Sequence, residues 1–503
     1  MLDTVKVLIL SDDLSIGSAD YPEYVEIKET IDDFDSEKKE EPDMVFIGRP
    51  LSDDEMAFCE KKIRAYTLFL IEGTEYTNDL QLLGRMKCLK KVKSEQVSKY
   101  IFDEAKNYFP KPYGEKFMPE NLGISPYFKG KVTWNGHSDV YLEGDFGPHL
   151  KQIAFYRNCI PFFVDQCLDL WLEYESRGDV EIELEVTQYA RGSLSTIEHK
   201  WTFSQKELDS IVSVDNPASR EGMLFFSIRA KGEGSLRLIA LHDRYGRRGH
   251  GAFLPGGKRR VSSKRQEVFT YFDPGDLKPP LNVYFSGFKT KEGFEGYNFM
   301  RVLGCPFLLI SEPRLDGGAA YFGDHEYESM VADEIKRAVK TLGFKKSDVI
   351  LTGISMGATG ALYYAADIEP HAVIVGKPLT NLGSIADNEK LLRPGGFPTS
   401  LDWVAFHMGD TNLQALDDLN ERFWKKFEVG NFSNTKFAIA YMIEDDYDST
   451  AYNDIISHLY SYGVEVFGKG LHGRHNDETG QIVDWFSRQH REMLRTDFKR
   501  EIK

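Results

Sequence analysis

The sequence predicts a mixed α/β chain that ends in a parallel, doubly wound module running from about residue 280 to residue 503. Three observations predict this ending. Apolar strands alternate regularly with amphipathic helices after residue 280, a G-x-S-x-G sequence sits between a strand and a helix, and acids and then histidines follow that serine along the chain. Two regions precede the module: a small Rossmann-like α/β region over 1–110 and a β-sandwich over 115–275. At roughly 100–200 residues per domain, a chain of 503 residues has room for all three.

In the first region, Val5–Leu10, Met44–Gly48 and Tyr66–Ile71 are short apolar runs of the kind found in strands buried on both faces. No G-x-G-x-x-G follows the first of them, so dinucleotide binding has no support. The acidic stretch Asp32 to Asp43, broken by Lys38-Lys39, is expected to be a solvated loop. The middle region differs. Leu170–Tyr174, Val180–Val186, Met223–Ile228 and Leu236–Leu241 are strand-like, several with period two, and no helices intervene. That pattern suggests a sandwich of short strands; such sandwiches often bind sugars, so carbohydrate or partner binding is a candidate role that the fold alone does not establish. Trp134-Asn135-Gly136-His137 and Trp171 are candidates for stacking on sugar rings, with core or edge packing as the alternative.

Asp273-Pro274-Gly275-Asp276-Leu277-Lys278-Pro279-Pro280 reads as the linker into the last module. Strands follow at Asn282–Phe285, Phe307–Ile310, Asp348–Thr352, Ala372–Val375, Phe437–Tyr441 and Val464–Phe467. A helix over Glu328–Leu342 carries Val331, Ile335, Ala338 and Leu342 on one face and stops at Gly343.

Gly353-Ile354-Ser355-Met356-Gly357 stands where Asp348–Thr352 ends and the helical Ala358–Ala366 begins. A serine on such a tight turn sits in strained backbone, and its neighbours must lack side chains that would clash. This makes the module α/β-hydrolase-like, with Ser355 as nucleophile. A serine hydroxyl needs a base to take its proton and an acid to orient that base. After Tyr441 come Glu444, Asp445, Asp446 and Asp448. Asp445 is the expected acid, Glu444 and Asp446 are alternatives, and Asp448 is the expected N-cap of a helix starting near Ser449. In Gly470-Leu471-His472-Gly473-Arg474-His475, His475 is the expected base and His472 a supporting loop residue. The oxyanion hole is expected from the Met356 amide and from that of Gly287 or Phe288, in the turn after the module's first strand.

Composition excludes other classes. A net charge of −17 disfavours nucleic acid as a partner. Five scattered cysteines without a C-x-x-C pair argue against zinc or a disulfide framework, and no metal site is expected. The N-terminal apolar run Val7–Leu10 is too short for a signal peptide, and no segment approaches a membrane span, so a cytoplasmic location is expected. No cofactor-binding motif is evident. The basic run Arg247-Arg248, Lys258-Arg259-Arg260 and Lys264-Arg265 is expected to be a solvated loop, with contact to a phosphate-bearing ligand or acidic partner as the alternative.

The elbow Gly353–Gly360, the turn Asp445–Asp448 and the segment Gly473-Arg474-His475-Asn476-Asp477 together resemble one family, and the three-part layout fits it over the whole chain. It is the second accessory Sec system protein of Gram-positive bacteria that export serine-rich-repeat glycoprotein adhesins. The resemblance implies a role in adhesin export and a cytoplasmic complex with two other accessory Sec proteins. It implies work beside an accessory Sec translocase of motor ATPase and channel, peripheral to the membrane. It also implies O-acetylation of N-acetylglucosamine on the adhesin, with Ser355, Asp445 and His475 as the matching triad. The family's acid is in some members a glutamate; here the matching place holds Asp445. Two other readings use the same residues or none of them: a carbohydrate esterase, and a non-catalytic scaffold of the export complex. The acetyl donor is not identified by any motif.

Overall fold

The computed structural model describes residues 3–34, 40–111, 114–193, 195–218, 220–391 and 397–501. Among these residues it is a mixed α/β structure with three sheets, and its contacts divide into two compact units. One unit holds Met1–Thr133 with Val140–Lys258, the other Trp134–Asp139 with Arg259–Lys503.

The first sheet has five parallel strands in the order Val25–Lys28, Val5–Leu10, Met44–Ile47, Leu68–Ile71, Lys90–Val92. Alternation along each strand sends Val5, Val7, Ile9, Phe46 and Phe69 into one buried cluster and Leu8, Leu10, Val45, Ile47 and Leu68 into another. Both faces are therefore covered, which is why these strands read as continuous apolar runs. The two edge strands are short and carry charged residues, so the apolar-run criterion passes over them. Of the acidic stretch, residues 35–39 lie outside the described residues; Asp43 is buried and accepts a hydrogen bond from the Lys6 amide at 2.9 Å.

Ten strands form the middle sheet, and the pairing runs through one 24-residue strand, Gly222–Tyr245. It pairs antiparallel with Glu181–Ala190 along its first half and with Cys167–Gly178 along its second. Where the sequence suggests a sandwich of separate short strands, the hydrogen bonds join all ten into one network. Met223–Ile228 and Leu236–Leu241 are two stretches of one strand, which passes through Gly232 and Gly234 at positive φ, 94° and 146°. Trp171 is buried in this region, so it serves packing; Trp134 remains 46% exposed.

The third sheet has eight strands. Their order is Lys258–Val261, Glu267–Asp273, Phe307–Ser311, Leu281–Phe285, Val349–Ile354, Ala372–Gly376, Lys436–Met442, Val466–Leu471. The last six in this order are parallel, while Glu267–Asp273 joins the sheet antiparallel to Phe307–Ser311. This corrects the sequence reading of residues 273–280. Asp273 ends one strand of the sheet and Leu281 begins another, so the proline-rich stretch is a connection inside the module. Its turn is closed by the Asp273 carboxylate accepting from the Gly275 amide at 2.9 Å and by Leu277 N–H donating to the Pro274 carbonyl at 3.0 Å.

The helix expected over 328–342 runs from His325 to Leu342, because the Asp324 carboxylate accepts from the Tyr327 amide and starts it earlier. Gly343, at φ 72°, ends it. Its buried face, with Tyr327, Val331, Ile335 and Ala338, joins a core shared with the apolar helix Met356–Ile368. Because the six strands run parallel, Phe285, Ile354, Gly376, Met442 and Leu471 all end at one edge of the sheet, the edge where α/β sheets present their loops for chemistry.

Within the basic run, Arg247 is buried and several other side chains form ion pairs. The buried Arg247 guanidinium donates to the carbonyls of Asn107, Phe109 and Phe253. Arg248 pairs with Asp215, Arg259 with Glu267, Arg260 with Glu334 and Lys264 with Asp324. Lys258 and Lys264 remain exposed, as expected of a solvated segment, while Lys258–Val261 forms a strand and not a loop. All five cysteines are free thiols. Among the described residues no helix is long and apolar enough to cross a membrane.

Candidate active site

Strand Val349–Ile354 delivers Ser355 into a sharp turn, and helix Met356–Ile368 leaves it at once. Ser355 adopts φ 57° and ψ −123°, a conformation that L-residues avoid unless the surroundings impose it. The imposing contacts are close. A Cβ on Gly353 would stand 2.2 Å from the Gly357 carbonyl oxygen, and one on Gly357 would stand 2.2 Å from that of Phe285. Glycine at both places is thus a packing requirement of the turn. The serine side chain is half-buried, not sealed.

Three side chains from three different loops form a hydrogen-bonded line. Ser355 Oγ lies 2.9 Å from His475 Nε2, and His475 Nδ1 lies 2.9 Å from Asp445 Oδ2. His475 and Asp445 are 3% and 7% exposed, so their contact is shielded from water. The second oxygen of Asp445 accepts from the amides of Tyr447 and Asp448 at 2.9 and 3.2 Å, which fixes the carboxylate. The His475 amide in turn donates to Asp446 Oδ1 at 3.0 Å, and the Tyr447 ring stacks on the imidazole at 4.3 Å between centroids.

The other acids and the other histidine fall elsewhere. Glu444 is exposed and pairs with His472 Nδ1 at 2.9 Å while accepting from the Gly473 amide at 2.7 Å. Those contacts, the Gly473 amide first, hold its carboxyl below the usual range and shape the loop around His475 without reaching Ser355. Asp448 does not cap the helix Ala451–Leu459, whose N-cap is Thr450. Its carboxylate turns inward and accepts from the amides of Thr380 and Asn381 at 2.7 and 2.8 Å, at the start of helix Leu382–Leu391. Burial pushes its pKa up, against the pull of those amides.

Of the amides expected to hold an oxyanion, Met356 is the first N–H of a 13-residue helix and has no acceptor within it. Gly287 needs correction. Its amide donates to Glu295 Oε2 at 2.7 Å, while the Glu295 amide donates to Ser286 Oγ at 3.1 Å, so this N–H is spent on shaping its own turn. Phe288 is the next residue, with its ring 39% exposed and edge-on to Phe397 at 5.6 Å.

Sequence reasoning missed Tyr447, Glu295 and Lys377. Lys377 follows the strand beside the elbow and is buried. Its ammonium donates to the Asp477 carbonyl at 2.7 Å and to Thr479 Oγ1 at 3.0 Å. An aromatic residue in a four-acid turn and a lone lysine after an apolar strand were the available signals. Neither has a fixed spacing from the serine.

Comparison with known proteins supplies what geometry cannot. The family model described as the accessory Sec system GspB-transporter matches residues 11–500. An accessory Sec system protein of Streptococcus gordonii is 38% identical over 448 residues, covering 89% of this chain and 88% of that protein. Its counterpart from Staphylococcus aureus is 40% identical over 393 residues, covering 78% and 75%. Among solved structures, a chain of the glycosylation-associated protein (Gap123) complex from Streptococcus agalactiae superposes with a TM-score of 0.88 at 34% identity, with both chains covered completely. On a family match spanning nearly its full length, this chain belongs to the accessory Sec system GspB-transporter family.

Proposed function

We propose that this protein is a serine-dependent O-acetyltransferase of α/β-hydrolase type that modifies N-acetylglucosamine on a serine-rich-repeat adhesin during its export. The observation that carries the chemistry is the hydrogen-bonded line Ser355–His475–Asp445 at a strained elbow. Family membership supports the export role.

In this reading His475 Nε2 takes the Ser355 proton as Oγ attacks the acetyl carbonyl of the donor. Asp445 holds the proton on Nδ1, which fixes the tautomer and stabilises the imidazolium. The tetrahedral oxyanion is held by the amides of Met356 and Phe288, beside the positive end of helix Met356–Ile368. When the intermediate collapses, the donor's leaving group takes the proton from His475 and acetyl-Ser355 remains. A sugar hydroxyl then gives its proton to His475 and attacks the acetyl carbon, the second tetrahedral intermediate expels Ser355 Oγ, and the proton returns to it. Water in place of the sugar makes the same site an esterase.

The setting is cytoplasmic, at the export machinery, in a complex with two other accessory Sec proteins. The S. agalactiae chain of the same fold comes from a glycosylation-associated protein (Gap123) complex, which supports assembly with partner proteins. The test is direct. Purified protein is given acetyl donor with glycosylated adhesin, and separately acetylated adhesin alone. Acetyl gain on the glycan that vanishes in Ser355→Ala supports transfer. Acetyl loss from the second substrate with no gain on the first assigns an esterase. No acetyl change in either assigns a scaffold.

A further inference from the structure

We propose that a pocket on the last module, at the end of its sheet away from Ser355, docks an acidic segment of a partner protein that carries apolar side chains between its carboxylates. The inference does not depend on the chemistry at Ser355.

The pocket has a volume of about 560 Å³, within the roughly 300–1,000 Å³ of ligand-sized clefts. Its floor is apolar: Ile335 and Val339 of helix His325–Leu342, Phe344 just after it, and Ile368 at the end of helix Met356–Ile368. Ile335 and Ile368 are buried, while Val339 and Phe344 are half-buried. Covering such a floor gains roughly 25 cal/mol for each Å² of apolar surface taken from water. The helix that ends here begins at the elbow and is 13 residues long, so the pocket stands about 20 Å from Ser355. A partner held there leaves the catalytic edge open.

The rim is basic. Lys336 and Lys340 stand one helical turn apart, and Lys346 joins them from the segment ahead of strand Val349–Ile354; all three are exposed. Lys346 pairs with Glu369, and the rim acid Asp367 pairs with Lys426 at 2.8 Å. Among the described residues neither Lys336 nor Lys340 has a carboxylate within ion-pairing distance. Residues 336–346 hold five basic side chains and no acid, within a chain of net charge −17. The negative end of helix His325–Leu342 accounts for Lys340 in its last turn, but not for Lys336 ahead of that turn. Two unpaired cations beside an apolar floor call for a ligand that is both anionic and apolar.

Shape selects among such ligands. A fatty acid brings one carboxylate to cations spread over a helical turn. A flat bilayer does not reach a floor this recessed, since Ile335 and Ile368 are 0% and 6% exposed. A peptide that alternates acids with large apolar residues lays the apolar ones on the floor and sets the carboxylates against Lys336 and Lys340.

The experiment is fluorescence anisotropy of the full chain with a labelled peptide of alternating aspartate or glutamate and leucine or phenylalanine. One control peptide has serine for the apolar residues, and another has lysine for the acids. The first peptide is expected to bind and neither control to do so. Lys336→Glu combined with Lys340→Glu is expected to weaken binding at least about tenfold with the thermal midpoint unchanged, and Lys336→Arg with Lys340→Arg to preserve it. Should the reversed pair fail to fold, Lys336→Gln with Lys340→Gln gives the same comparison. Absence of binding by the first peptide overturns the proposal, as does binding that survives loss of both charges. Equal binding of the serine peptide leaves only unspecific charge attraction and overturns it too. Vesicles of phosphatidylglycerol are the last arm: charge-dependent binding to them without binding to the peptide assigns the patch to a membrane surface instead.

Discussion

Two histidines, one in each compact unit, stand between a carboxylate and a hydroxyl at nearly the same distances. His250 lies 2.7 Å from Glu104 Oε2 and 3.0 Å from the Tyr108 hydroxyl; His475 lies 2.9 Å from both Asp445 Oδ2 and Ser355 Oγ. The hydrogen-bond pattern is shared, yet the chemistry open to each differs. Tyr108 is completely buried, its hydroxyl also accepts from Lys90, and burial pushes its pKa up. No reacting carbonyl can approach it. Ser355 is half-exposed, on strained backbone, at the start of a helix whose first amides are free of intrahelical acceptors. An acid–histidine–hydroxyl line alone therefore does not make an active site; access, strain and unspent helix amides set the proposed site apart.

The largest effect that sharpens this contrast is loss of the hydroxyl on each side. Ser355→Ala is expected to lower para-nitrophenyl acetate hydrolysis by about four orders of magnitude, and Asp445→Asn by about three. Thermal unfolding should show both variants folded. Tyr108→Phe in the other line should leave that rate unchanged. A rate that falls with Tyr108→Phe and survives Ser355→Ala would break the comparison outright.

A third histidine extends it to pH. His490 is fully buried, with Nδ1 2.9 Å from the Phe486 carbonyl, and burial pulls its pKa down to about 4. Below the ordinary histidine value the unfolded chain takes the proton first. Stability from this group is present above about pH 6.5 and drains away as pH falls toward about 4, by about 3 kcal/mol in all. Urea titrations at descending pH should show the loss, and His490→Leu should flatten that part of it.

Smaller effects follow. Tyr108→Phe removes the partner of His250 Nδ1 and of Lys90, so it should cost about 1–3 kcal/mol in urea unfolding without kinetic consequence. His472→Ala breaks an exposed pair with Glu444 and should change the hydrolysis rate least of all. A collapse of rate in that variant would move the proposed base from His475 to His472.

How much of this was legible beforehand follows physical lines. The elbow was readable because a tight turn between strand and helix demands glycines at fixed offsets around Ser355. The buried strands were readable because two covered faces leave an apolar run. The connection at 273–280 was misread because proline and glycine mark a turn equally well inside a sheet and between domains. The spent amide of Gly287 was invisible because Glu295 meets it only through the fold of the turn. Lys377 and Tyr447 act through contacts across 98 and 28 residues or more of chain, and no spacing rule joins them to His475.

The most direct measurement is mass spectrometry of adhesin glycans made in cells carrying either the wild-type protein or Ser355→Ala, with the accessory complex recovered in both. The account predicts that the glycans lose the mass of their acetyl groups in the variant while the complex still assembles. Acetylation that stays at the wild-type level in Ser355→Ala would contradict it.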